Sequence, residues 1–113
     1  MFGILNLPWP GRMAQFRFGA HEFDDSNGLI CSGDPVHLSP LQHRLLQTFC
    51  QRSQTLLSKE ELMQEVWNHT AVSDISLSRT VHELRQKLGG GPYAKQLIAS
   101  VYGRGYIFTL QPA

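Results

Sequence analysis

Cysteine is scarce in this chain. Two in 113 residues, Cys31 and Cys50, stand apart with no close Cys or His partner, which leaves no disulfide framework and no zinc-type spacing. They read as reduced thiols. Long apolar runs are also missing. Every one falls far short of the roughly 20 residues that span a bilayer, and no basic segment followed by an apolar run opens the chain. Membrane insertion and secretion are therefore not expected, and a cytoplasmic setting is. Catalytic constellations are absent too. The five histidines, His21, His37, His43, His69 and His82, fall in separate segments, and no nucleophile with its base, phosphate loop or metal-ligand cluster is visible. An enzyme is not expected, nor is a cofactor or a metal. Excess charge of one sign is the last absence. Ten Lys and Arg against nine Asp and Glu give a net charge of +1, little for a chain that would seek polyanions.

What charge there is, however, is segregated. Residues 1–43 hold Arg12 and Arg17 against Glu22, Asp24, Asp25 and Asp34, a net of −2. Residues 44–74 hold Arg44, Arg52 and Lys59 against Glu60, Glu61, Glu65 and Asp74, a net of −1. Residues 75–113 carry Arg79, Arg85, Lys87, Lys95 and Arg104 against Glu83 alone, a net of +4. Positive potential is concentrated in the last third.

With 42% hydrophobic residues, the chain has room for one domain with one modest core. Residues 1–14, with two prolines, two glycines and no periodicity, read as a tail or linker, and Met13 as an alternative start. Residues 15–110 are expected to fold, and 111–113 to trail. From Phe16 to Leu38, short apolar runs alternate with the turn chemistry of Asp24-Asp25-Ser26-Asn27-Gly28 and Ser32-Gly33-Asp34-Pro35, which predicts three or four antiparallel strands. So small a sheet is expected to need helices to lie on.

Two helices follow. Ser39-Pro40-Leu41-Gln42 joins an N-cap serine, a proline at the first helical position and a glutamine at the third, ahead of an inner face of Leu41, Leu45, Leu46 and Phe49. Ser58-Lys59-Glu60-Glu61 repeats the capping box, with Leu57 stapled to Leu62 and an inner face of Leu62, Val66 and Trp67. A longer loop, Asn68 to Ser73, leads to the most informative stretch. From Asp74 to Gly89, Leu77, Val81, Leu84 and Leu88 mark one face of a helix, while Ser78, Arg79, His82, Glu83 and Gln86 fall on the other. Asp74 or Ser73 supplies its cap and Gly89 its stop. The predicted helix, 75–88, is a rod of roughly 20 Å. One side suits a core and the other a major groove about 12 Å wide. Gly89-Gly90-Gly91-Pro92 reads as a reversal, and 97–101 and 106–110 as strands joined by Tyr102-Gly103-Arg104-Gly105, a tight tip that offers an arginine. A hairpin placed directly after such a helix is a wing.

In this order the segments resemble the winged-helix effector domain of OmpR/PhoB-type bacterial transcription regulators. The resemblance rests on Leu-Ser-Pro-Leu-Gln at 38–42, Ser-Lys-Glu-Glu-Leu-Met-Gln-Glu-Val-Trp at 58–67, Ser-Leu-Ser-Arg-Thr-Val-His-Glu-Leu-Arg-Gln-Lys-Leu-Gly at 76–89 and Gly-Arg-Gly-Tyr-Ile-Phe at 103–108. The 83–89 segment is similar to the ToxR/CadC-like branch, which carries the domain without a receiver. The implied fold is α+β: a four-stranded antiparallel N-terminal sheet, three helices and a C-terminal wing.

The resemblance implies sequence-specific binding of double-stranded DNA, with the third helix in the major groove and the wing, 102–105, at the minor groove or backbone. Ser78, Arg79, Thr80, His82 and Glu83 would then line the DNA face, with Arg79 on a base and Arg85 and Lys87 near phosphates. Glu83 departs from the basic residue common there; near phosphates its carboxylate is repelled unless it accepts from a cytosine amino group or pairs with Arg79 or Lys87. The wing departs as well, its arginine shifted to the tip at Arg104 beside Tyr102. An RNA polymerase contact is implied at Glu60, Trp67, Asn68, His69 and Asp74, and a head-to-tail homodimer on repeated sites. The alternative is a winged helix that now binds protein instead of DNA. The chain itself is expected to make no membrane contact, whether it stands alone or forms the cytoplasmic part of a membrane-anchored regulator.

Overall fold

A computed structural model describes residues 16–24, 27–67 and 73–109. It divides between Val36 and His37 into two compact units. The N-terminal unit is an antiparallel sheet of four strands in sequential order, β1 (Phe16–Phe18), β2 (His21–Asp24), β3 (Gly28–Cys31) and β4 (Asp34–Val36). Its turns follow their residue chemistry. Asp24 accepts from the backbone N–H of Asn27 at 2.6 Å, and Ser32 and Gly33 both take positive φ, the geometry of a tight two-residue hairpin. Pro35 sits on the last strand, an edge, where no ladder donor is missed. Phe18, Phe23 and Leu29 are buried, and the buried His21 ring stacks on Phe18 at 6.0 Å.

The second unit holds the helices. α1 (Pro40–Gln51) opens with the expected capping box: Ser39 Oγ accepts from Gln42 N–H at 3.2 Å, and Gln42 Oε1 accepts from Ser39 N–H at 3.1 Å. Leu45, Leu46 and Phe49 are buried as expected, but Leu41 is 37% exposed, because the buried stripe runs through Gln42, Leu45, Leu46 and Phe49 and leaves Leu41 at its margin. β5 (Leu56–Ser58) leads into α2 (Lys59–Trp67), whose capping pair is Ser58 and Glu61. The Ser58 backbone N–H, donating to the Glu61 carboxylate, is the main reason that this group titrates below its ordinary value. Leu57 and Leu62 are both buried, as the staple requires, whereas Trp67 is half-buried.

α3 (Asp74–Lys87) is capped by Ser73, whose Oγ accepts from Ser76 N–H at 3.2 Å. Beyond it, Leu88 N–H bonds back to Leu84 O, and Gly89 takes φ +104 as the helix ends. The chain then makes a fourth helix where a simple reversal was expected: α4 (Gly91–Leu97), with Pro92 in its first turn and Ala94 and Leu97 buried. Three helices thus become four. The wing is larger than a hairpin, since β5 pairs with β7 (Gly105–Phe108), which pairs in turn with β6 (Ile98–Val101), giving a three-stranded sheet in the order β5-β7-β6. Phe49 of α1 and Phe108 of β7 stack at 5.7 Å, and α3 packs against α1, α2 and α4.

The Gln42 amide does more than cap. With its oxygen taken by Ser39, its nitrogen donates to Glu83 Oε1 of α3 at 3.2 Å, so one buried side chain holds the start of α1 and one flank of α3. Gln42→Ala removes both bonds. Urea unfolding is expected to show a loss of about 1–2 kcal/mol.

Candidate nucleic-acid interface

The geometry of α3 follows from its sequence period. At about 100° per residue, the buried Leu77, Val81, Leu84 and Leu88 centre one face of the helix. Arg79 and Gln86 then lie directly opposite, with Ile75 and His82 to one side of that line, about 30° and 50° round, and Ser78 further round on the same side. All five are exposed, and nothing among the described residues covers them. Glu83 lies further round on the Arg79 side, exposed, with its carboxylate drawn toward α1 by Gln42. Within the domain, Gln42 is the hydrogen-bond partner that the structure gives Glu83. Lys87 is half-buried in the last turn, where a cation suits the helix C-terminus.

Two residues expected on the DNA face are placed otherwise. Thr80 is only 6% exposed, and its hydroxyl donates to Ser76 O at 2.9 Å. That bond to the carbonyl one turn back satisfies the hydroxyl inside the helix and turns Thr80 toward the core. Arg85 is held within the fold as a strut. Its Nε donates to Ile98 O at 3.1 Å, Nη2 donates to the same carbonyl and to Ser100 Oγ at 3.0 Å, and the guanidinium lies over the Tyr106 ring, 5.9 Å from its centre. Partial burial lowers its pKa from the ordinary value, while Tyr106 acts in the opposite sense. A fixed fork of donors suits this clamp between α3 and β6.

The wing tip is the three-residue loop 102–104, closed by Arg104 N–H to Val101 O at 2.9 Å. Tyr102 is 99% exposed and Arg104 is exposed beside it, whereas Tyr106 and Phe108 are buried, so the tip alone projects. Of the residues expected to touch polymerase, Asn68 and His69 lie outside the described residues. Glu60 is exposed, Trp67 half-buried, and Asp74 pairs with Lys59 at 3.8 Å, Ser73 having taken the cap.

Ile75 is the surface residue that helical periodicity alone did not single out. An isoleucine 71% exposed on the polar side of an amphipathic helix breaks the pattern, and counting turns from the centre of the core stripe would have found it. The two thiols are free, and burial pushes that of Cys50 far up, so it is inert as a nucleophile. No helix of the described residues is long and apolar enough to cross a membrane.

Comparisons with known proteins place this geometry in a family. A family profile described as "Transcriptional regulatory protein, C terminal" matches residues 33–108. The transcriptional regulatory protein AruR of Pseudomonas aeruginosa is 36% identical over 103 residues, which are 88% of this chain and 42% of that protein. The chain likewise spans only 36% of YvrH of Bacillus subtilis. Among solved structures, the DNA-binding domain of Escherichia coli CadC superposes with a TM-score of 0.70 at 29% identity, over 87% of this chain and 96% of that one. The Klebsiella pneumoniae RstA DNA-binding domain, solved in complex with the RstA box, shares the fold with a TM-score of 0.72 at 23% identity, over 84% and 96%. The family match takes in all four helices and the whole wing, and the chain belongs to the OmpR/PhoB-type family of winged-helix DNA-binding domains of transcriptional regulators, which are not enzymes.

Proposed function

We propose that this domain binds double-stranded DNA sequence-specifically for a transcriptional regulator, with α3 in the major groove and the 102–104 tip at the minor groove or backbone. The observation that carries the reading is the uncovered line of α3, polar but for Ile75 and directly opposite its core face, with a projecting arginine tip following in the same compact unit. The likeness to an RstA domain bound to its box supports it. A helix fits the major groove, where Arg79 can donate in bidentate fashion to a guanine and His82 and Gln86 offer hydrogen bonds along the same line. Arg104 and Lys87 are cations without a bonded carboxylate among the described ion pairs and are assigned to phosphates.

The two roles separate in a salt titration. Fluorescence anisotropy on random and selected duplexes is expected to show affinity falling with salt, with a log–log slope near −0.9 for each phosphate neutralised. Arg104→Ala should flatten that slope by about 1 and weaken all sequences alike, whereas Arg79→Ala should cost about 1–3 kcal/mol on the selected site and relax its sequence preference. Wild-type binding that is absent at low salt would point to a protein partner for α3.

A further inference from the structure

Ile75 is the one large aliphatic side chain on the outward face of α3, and it lies in the first turn, in line with His82 and Gln86. A single exposed isoleucine is ordinary on a protein surface. This one stands on a line whose other members are all hydrogen-bonding, at the helix end that recognition helices commonly bring to base edges. Its neighbours in sequence do not draw it inward. Asp74 is held by Lys59, Ser76 N–H by the Ser73 cap, and Leu77 enters the core, so the Ile75 side chain is left 71% exposed. The major-groove edge of a base pair presents donors and acceptors and just one apolar group, the thymine C5-methyl.

We propose that Ile75 is a specificity-determining residue that packs on a thymine methyl, so that the operator carries a thymine facing the first turn of α3. The assignment rests on the DNA-binding reading above and deepens it. Arg79, just over one turn further along the helix and about 40° round from Ile75, then reads a base at a neighbouring step. The contact also suits a domain with few free cations, because burying a methyl against an isoleucine adds affinity that salt does not screen.

The test uses duplexes selected by the wild-type protein from a random pool, with each thymine replaced in turn by deoxyuridine, which lacks only the methyl. At one position the wild type should lose about three- to fivefold in affinity, the effect of exposing one methyl-sized group. Ile75→Ala, at an exposed site where folding is undisturbed, should bind the parent duplex with a similar loss and be indifferent to deoxyuridine at that position, while keeping its response elsewhere. A deoxyuridine profile of Ile75→Ala identical to that of the wild type overturns the assignment and leaves DNA binding intact. Failure of the wild type to select or bind any duplex overturns the DNA reading itself, and this assignment with it.

Discussion

Gly105→Ala is expected to destabilise the domain by on the order of 2–6 kcal/mol, the largest single effect predicted here. Two independent costs add. Gly105 holds φ +153, a backbone region open in practice to glycine alone, which costs other residues about 1–3 kcal/mol. An added Cβ would also lie 2.9 Å from the carbonyl carbon of Leu57 and from Ser58 Cα, with the Leu57 oxygen nearer still. These are backbone atoms of β5, paired with Gly105 through Ser58, and they cannot swing aside as a side chain would. Relieving the clash means parting β5 from β7, at a further cost of about 1–3 kcal/mol. Against a total stability of about 5–15 kcal/mol, the loss should lower the thermal midpoint by roughly 10 °C or more. Gly103→Ala is the matched control. Gly103 has φ +71 but open space around it, so only the left-handed penalty of about 1–2 kcal/mol applies. Thermal unfolding of the two variants side by side checks the difference; equal losses would contradict it.

Arg85→Ala should cost about 1.5–3 kcal/mol of stability, as expected when a charged group with several hydrogen bonds is removed. The Ile98 carbonyl and Ser100 hydroxyl lose their shared donor, and Tyr106 loses the cation above its ring. Arg85→Lys keeps the charge but has no fork to reach both acceptors, so it should recover little. The consequence for DNA is distinctive. A strut that is not a phosphate ligand leaves the salt slope of the folded variant unchanged, whereas a phosphate contact would flatten it by about 1. Denaturant titration and salt titration of the same two proteins separate the two roles.

These two residues also mark where the sequence stops being informative. Strong local signals survive folding: the Ser39, Pro40 and Gln42 cap and the Leu77, Val81, Leu84 and Leu88 stripe form as their chemistry predicts, and the turn expected over 32–35 forms at Ser32 and Gly33, with Asp34 and Pro35 already in β4. Tertiary contacts decided the rest. Arg85 looks like any basic residue on a helix flank until β6 supplies an acceptor. Thr80 sits at the margin of the core stripe, and its bond to Ser76 O resolves which way it turns. β5 has three residues, too few for alternation to show, and α4 has seven, too short for a periodic signal and hidden behind three glycines. Gly105 reads as a turn glycine in the sequence; only its pairing with Ser58 reveals that the close approach of β5 demands it.

The central claim, that the outward face of α3 and the 102–104 tip together meet duplex DNA, is tested most directly by following backbone amide resonances while a short duplex is added at low salt. The largest shifts are predicted at Ile75, Ser78, Arg79, His82 and Gln86 and at Tyr102, Gly103 and Arg104, with Thr80 and Leu84 moving less. Shifts confined to α2 or to the four-stranded sheet, or no shift at all, would contradict the account.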